Sequence, residues 1–278
     1  KLTDAQFKAL TTAQVSNLST AQVQAISTSN MAVMETADLR ALTTAEIAAL
    51  TSAQWNALTE TQVVALTTSQ VNTIEASALG QISPVVFKKL SSAQIGALST
   101  SQMEALIANQ VAELTSAQFA SLSSSQLTAI ETRDITSITT NALKGLTAAK
   151  ITALSTAQIA ALDPTTQMPN MGSKLIAAMN TAQVVALTTA QVSNLATLQL
   201  AALTTLQVQA IETADVQALT TAQLVALTTA QIASLTTDQV VALTTDQVSN
   251  LTTSQLAALT AKQVAVLETN DLQAITTA

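Results

Sequence analysis

The sequence predicts an all-α fold: a solenoid or superhelix of very short capped helices, one per 8-residue repeat. Three observations predict it. A leucine slot returns every eight residues, at Leu2, Leu10, Leu18, Ile26, Met34, Leu42, Leu50, Leu58 and Leu66. A second apolar slot follows five residues after each, at Phe7, Val15, Val23, Met31, Leu39, Ile47, Trp55 and Val63. Between the slots lie a hydroxyl residue, two small residues and, in most octads, Gln. An internal repeat this regular governs how everything else is read.

One long helix does not fit. At about 100° per residue, eight residues overshoot two turns by roughly 80°, so the apolar stripe would wander around the helix. A strand does not fit either, because slots five apart face opposite sides of a sheet. The octads are also rich in Ala and Gln, which strands disfavour. A helix restarted in every octad does fit. With Thr11 as N-cap, Gln14 falls at the third helical position and closes a capping box. Leu10 and Val15 then form the hydrophobic staple around that start. A helix of under two turns melts alone, so neighbouring octads must hold it by packing.

The period runs through all 278 residues, and the expectation is a single octapeptide-repeat array over 1–278. The leucine slot keeps register to Leu162 and restarts at Met171. The proline at Pro84 respects the octad: Ser83 takes the cap and Pro84 the first helical position, where a missing N–H costs nothing. Lys88 and Lys89 then close that helix at its negative dipole end. The register breaks once, by a one-residue insertion with a wider turn at 163–173. There Asp163-Pro164 reads as cap plus first position, and Pro169, Asn170 and Gly172 as turn. The insertion reads as a tolerated surface residue or as a deliberate kink or recognition loop. A longer period overlies the octad: Val184-Val185-Ala186-Leu187 through Leu203 returns 56 residues later as Val240-Val241-Ala242-Leu243 through Leu259. Duplication accounts for these seven octads, and so does a superhelix with about seven units per turn.

Composition excludes much. Cys and His are absent, which removes disulfides, thiol catalysis, zinc sites of the usual kind and histidine acid/base chemistry. Aromatics are 1% of the chain, so the core is built from Leu, Val, Ile and Ala, and Trp55 reads as a core residue. The net charge of −7 leaves no basic stripe for nucleic acid. No apolar run reaches the roughly 18 residues of a membrane span. No signal peptide is visible at Lys1. No catalytic constellation stands out from the repeat background, and neither an enzyme activity nor a cofactor is expected.

In four octads, Glu replaces the cap hydroxyl and Asp replaces Gln: Glu35/Asp38, Glu131/Asp134, Glu212/Asp215 and Glu268/Asp271. Acid at a helix N-terminus suits the dipole. The same pairs are weak calcium candidates, each with too few oxygens alone for an ion that takes six to eight. The Thr-Thr pairs raise an ice-binding surface, but the cap hydroxyl is committed to backbone and the second Thr varies.

Leu235-Thr236-Thr237-Asp238-Gln239-Val240-Val241-Ala242-Leu243 resembles the first helix of the repeats in transcription activator-like effectors. The likeness covers that helix alone, and the second helix and base-reading residues of that family are missing. Across nearly every octad, the chain resembles the Leu-Thr-Thr-Ala-Gln-Val octapeptide arrays of large bacterial surface or adhesin-like proteins. That resemblance implies an extracellular or cell-surface structural role, as a spacer or a filament-forming or adhesive segment. A solenoid binding module for a protein or glycan partner is the second reading. The first octad, Leu2 to Ala9, and the last, Leu267 to Ala274, carry ordinary apolar residues in both slots. Beyond Lys1 and Asp4 at one end and Glu268 and Asp271 at the other, neither has a polar cap of the kind solenoid termini use. The expectation is end-to-end self-association or continuation in a longer array.

Overall fold

A computed structural model describes residues 2–277, with side chains described as far as Ile275; the charge expected at Lys1 lies outside the described residues. Among the described residues every regular element is helical, and most helices are four to six residues long. The expected octad register holds in detail. Thr51, for example, accepts from the Gln54 amide at 3.3 Å, while Gln54 Oε1 accepts from the Thr51 amide at 2.9 Å. The same reciprocal pair opens helices from Asp4–Lys8 to Ala261–Val264. Each cap contributes about 1 kcal/mol.

Between helices the chain turns through two extended residues, the leucine slot and the cap. Leu58 has φ −67° and ψ 138°, and Thr59 has φ −75° and ψ 164°. No described residue takes a positive φ. A turn built this way needs no left-handed glycine, which explains how 32 α-helices and two 3₁₀ helices among the described residues coexist with four glycines in the chain. Gly145 is required for another reason: a Cβ there would stand 2.2 Å from the Ser116 carbonyl oxygen.

The chain forms two compact units, Lys1–Leu146 and Thr147–Ala278. In the first, Asp4–Lys8 packs on Thr28–Val33, and Ser92–Gly96 on Ser116–Ser121. In the second, Thr181–Val185 packs on Thr205–Ala210, and Thr229–Ser234 on Thr253–Ala258. Each of these pairs is three octads apart. Both apolar slots point into the core, except at Leu2, Val264 and Leu272, which are exposed. The second slot is almost wholly sealed, as at Val23, Ile47, Val111, Val192 and Val240, and Trp55 lies in that slot as expected.

Two expectations need correction. The acidic octad at Glu131 opens a 3₁₀ helix, Thr132–Ser137, rather than an α-helix. Glu131 makes no side-chain cap bond there, but neither do Glu35 and Glu212, which open α-helices, so the missing cap does not by itself set the helix type. The superhelix with about seven octads per turn is also corrected. Helices touch three octads away, and side chains described below reach four octads away, so each turn holds between three and four. The 56-residue period therefore corresponds to about two turns.

The insertion is absorbed inside one helix start. Asp163 caps, Pro164 follows, and the glutamine arrives one position late, at Gln167, whose Oε1 accepts from the Asp163 amide at 2.6 Å. Met168 and Met171 then fill the two apolar slots, both buried. Pro169 and Asn170 complete a short 3₁₀ turn, and Gly172 caps the next helix.

Candidate functional site

The feature repeated most often is the capping glutamine, and it has two ends. Its Oε1 accepts from the cap amide. From Gln54 onward its Nε2 crosses to the preceding turn and donates to two backbone carbonyls, in most cases 28 and 31 residues earlier, and 29 and 32 for Gln183 and Gln191, which reach across the insertion. In the first unit Gln62 reaches Met31 O at 2.7 Å and Met34 O at 2.8 Å, and Gln94 reaches Val63 O and Leu66 O at 2.8 and 2.9 Å. In the second, Gln231 reaches Leu200 O and Leu203 O at 2.9 and 2.7 Å, and Gln263 repeats the pattern on Ile232 and Leu235. These glutamines are buried. One planar amide thus caps its own helix and fills the open carbonyls at the end of a helix four octads back. Each such bond contributes about 1 kcal/mol net, and a buried amide left without partners would cost more than that.

Departures from the rule show what the glutamine does. Asn30 stands in its place but is one methylene shorter. Its Nδ2 still reaches Leu2 O at 3.3 Å, but its Oδ1 is buried with no partner. Restoring the length in Asn30→Gln is expected to raise stability by about 1 kcal/mol, read as an upward shift of the urea midpoint; a lowered midpoint would contradict the role assigned to the side chain. Val86 replaces Gln in the Ser83 octad, and there Asn56 Oδ1 takes over, accepting from the Ser83 amide at 2.7 Å. Pro84 sits at the first helical position as the sequence requires. Glu46 keeps the capping half, with its Oε2 accepting from the Thr43 amide at 2.6 Å, and has no N–H with which to donate.

The acidic octads lack the cross-turn donor altogether. Glu35, Glu131 and Glu212 make no side-chain cap bond. Asp38 is buried and accepts from the Thr12 hydroxyl at 2.7 Å. Asp271 does the same with Thr245 at 2.8 Å, and its second oxygen accepts from the Glu268 amide at 3.3 Å. Arg133 lies between Glu131, at 2.6 Å, and Asp134, at 3.8 Å. Burial pushes the Asp134 carboxyl up from its ordinary value; Arg133 opposes this and Glu131 adds to it. Asp215 is buried beside the exposed Glu212. Among the described residues no three Asp or Glu side chains come together as a metal site. Two acids bond to a threonine three octads back, a partner that the spacing within one octad does not reveal.

Asp163 is the acid with the most donors. Its Oδ1 accepts from the amides and hydroxyls of both Thr165 and Thr166, at 2.6 to 2.9 Å. These bonds, led by the Thr166 hydroxyl, hold its pKa down at about 2. A depressed folded pKa stabilises the helix start above the unfolded value of about 3.9, and this contribution is lost as pH falls through the folded value near 2. Carboxyl NMR is expected to place the Asp163 midpoint near 2; a midpoint near the unfolded value would break the assignment.

No described helix is long and apolar enough to cross a membrane. Among known families, the ALTTAQ repeat model matches residues 1–34, 31–68, 127–164, 168–205 and 208–245, together more than half of the chain. No curated protein matches the chain.

Proposed function

The chain belongs to the ALTTAQ repeat family, and from that premise we propose that it is a non-enzymatic structural array, an extracellular spacer or filament-forming and adhesive segment at a bacterial cell surface. One observation carries the reading. The polar groups that recur in most octads are consumed by the scaffold: the cap hydroxyls hold helix starts, and from Gln54 onward the glutamine amides join turns. What remains at the surface is mostly Thr, Ser and Ala. End-to-end self-association, or continuation of the octads in a longer array, belongs to the same reading, since each turn offers the next one a ready template.

A second reading, a binding module for a protein partner, is favoured by Leu198 and Leu206. These leucines sit in consecutive octads at a position usually held by small or polar residues, and are 77% and 68% exposed. Electron microscopy of the purified chain separates the two. Strings or filaments support the structural array. Isolated compact particles that lose a captured partner on Leu198→Ser and Leu206→Ser replacement overturn it in favour of the module.

A further inference from the structure

Four octads put Asp where Gln usually stands, and in three of them another side chain answers the carboxylate. Asp38 and Asp271 accept a hydroxyl from Thr12 and Thr245, each 26 residues earlier. Asp134 has Ala108 at that spacing and Arg133 beside it instead. Asp215 has neither. Ala214 stands where Arg133 would, and Thr189, at the spacing of Thr12, makes no bond to it. Asp215 is still the most buried of the four, 2% exposed, and among the described residues its carboxylate receives no hydrogen bond.

What this carboxylate faces is oxygen. The glutamines of the flanking octads, Gln207 and Gln223, point at carbonyls in the preceding turn. For Asp215 the carbonyls at the same spacing belong to Leu187 and Val184. Leu187 O accepts from no donor, and Val184 O accepts from backbone amides alone. Asn30 shows that a side chain of this length spans the gap, since its Nδ2 stands 3.3 Å from Leu2 O. In Asp215 an acceptor replaces that donor, so like partial charges face each other and a cation between them removes the repulsion. Oxygens bound side by side on calcium at 2.3–2.6 Å stand about 3.3–3.7 Å apart, which suits this spacing. Glu212, at the cap of the same helix, is exposed and makes no side-chain cap bond. We propose that Asp215 and Glu212, with the carbonyl oxygens of Val184 and Leu187, hold a hard divalent cation of the calcium class. The Thr189 hydroxyl and water complete the six to eight oxygens such an ion takes. All these residues lie within the Thr147–Ala278 unit. Where Arg133 supplies a positive charge in the chain, the Glu212 octad takes one from solution.

The test titrates calcium chloride into the full, chelator-treated, ¹⁵N-labelled chain and follows backbone amide shifts and the urea midpoint. The wild type is expected to saturate with a Kd on the order of 10⁻³ M, with shifts centred on 212–219 and 184–189, and to unfold at higher urea with calcium. Asp215→Gln restores the glutamine of the other octads. It is expected to fold, to lose the calcium response, and to match or exceed the calcium-loaded wild type in urea. Glu212→Gln changes an exposed side chain only and should weaken binding about tenfold or more. Asp38→Asn, at an acid already bonded, should leave the response unchanged. A wild type that shows no saturable shift, or the same shift with sodium chloride of equal ionic strength, overturns the site. So does an Asp215→Gln or Glu212→Gln variant that responds like the wild type.

Discussion

Val240→Asp is expected to lower the stability of the Thr147–Ala278 unit by about 4 kcal/mol, while Thr237→Lys, three residues away, changes it by less than about 0.5 kcal/mol. Val240 lies in the second apolar slot and is wholly buried. A carboxylate there loses its hydration and gains no partner, and the valine packing is lost with it. Thr237 is the first residue of the helix after the Thr236 cap, and its side chain is exposed. A lysine there projects into water. The difference comes from the octad register alone, because both residues sit in one short helix. Urea unfolding of the two variants checks it, and equal midpoints would mean that the slots are misassigned.

Gln102→Glu is expected to cost about 2–4 kcal/mol near neutral pH, although it changes one atom and no shape. Gln102 is 2% exposed. Its Oε1 accepts from the Ser99 amide at 2.8 Å, a contact that a carboxylate keeps. Its Nε2 donates to Val71 O at 3.0 Å and Ile74 O at 2.7 Å, and a carboxylate turns both contacts into oxygen facing oxygen. The new carboxyl would therefore have a folded pKa above its unfolded value. The sign follows: the penalty is greatest above the folded pKa and shrinks as pH falls through it, because the protonated acid regains one donor. Unfolding measured at neutral and at acidic pH should show the variant approaching the wild type in acid. A loss independent of pH would point to packing instead. Glu46 occurs naturally at this position near the start of the chain, where of the two residues 31 and 28 earlier Val15 is buried and Leu18 only partly so.

The local half of this structure was legible in the sequence. Thr51 and Gln54, Leu58 and Val63 announce helix starts and core slots because capping and stapling act within six residues. The number of octads per turn was not legible, since the step from one octad to the next depends on tertiary packing. A signal was present all the same. Glu and Gln close a capping box equally well, yet the chain uses Gln in most octads and Glu only at Glu46. That preference reflects the Nε2 donor, whose partners lie 28 and 31 residues away. The insertion was legible as a register change at Asp163, but its solution was not. Gln167 serves from one position late, and the extra residue stays in the first turn while Met168 and Met171 keep the core. The acidic octads were legible as pairs, whereas the bond from Thr12 to Asp38 depends on the stacking of turns.

In most octads one side-chain amide joins successive turns, and hydrogen exchange of the glutamine Nε2 protons tests this most directly. With ¹⁵N labelling, the Nε2 protons of Gln62, Gln94 and Gln231 should exchange slowly and show contacts to the residues 28 earlier, Met34, Leu66 and Leu203. Gln6 and Gln14, measured in dilute solution, should exchange at the rate of a free amide. Equally fast exchange at all five, with backbone amides still protected, would contradict the account.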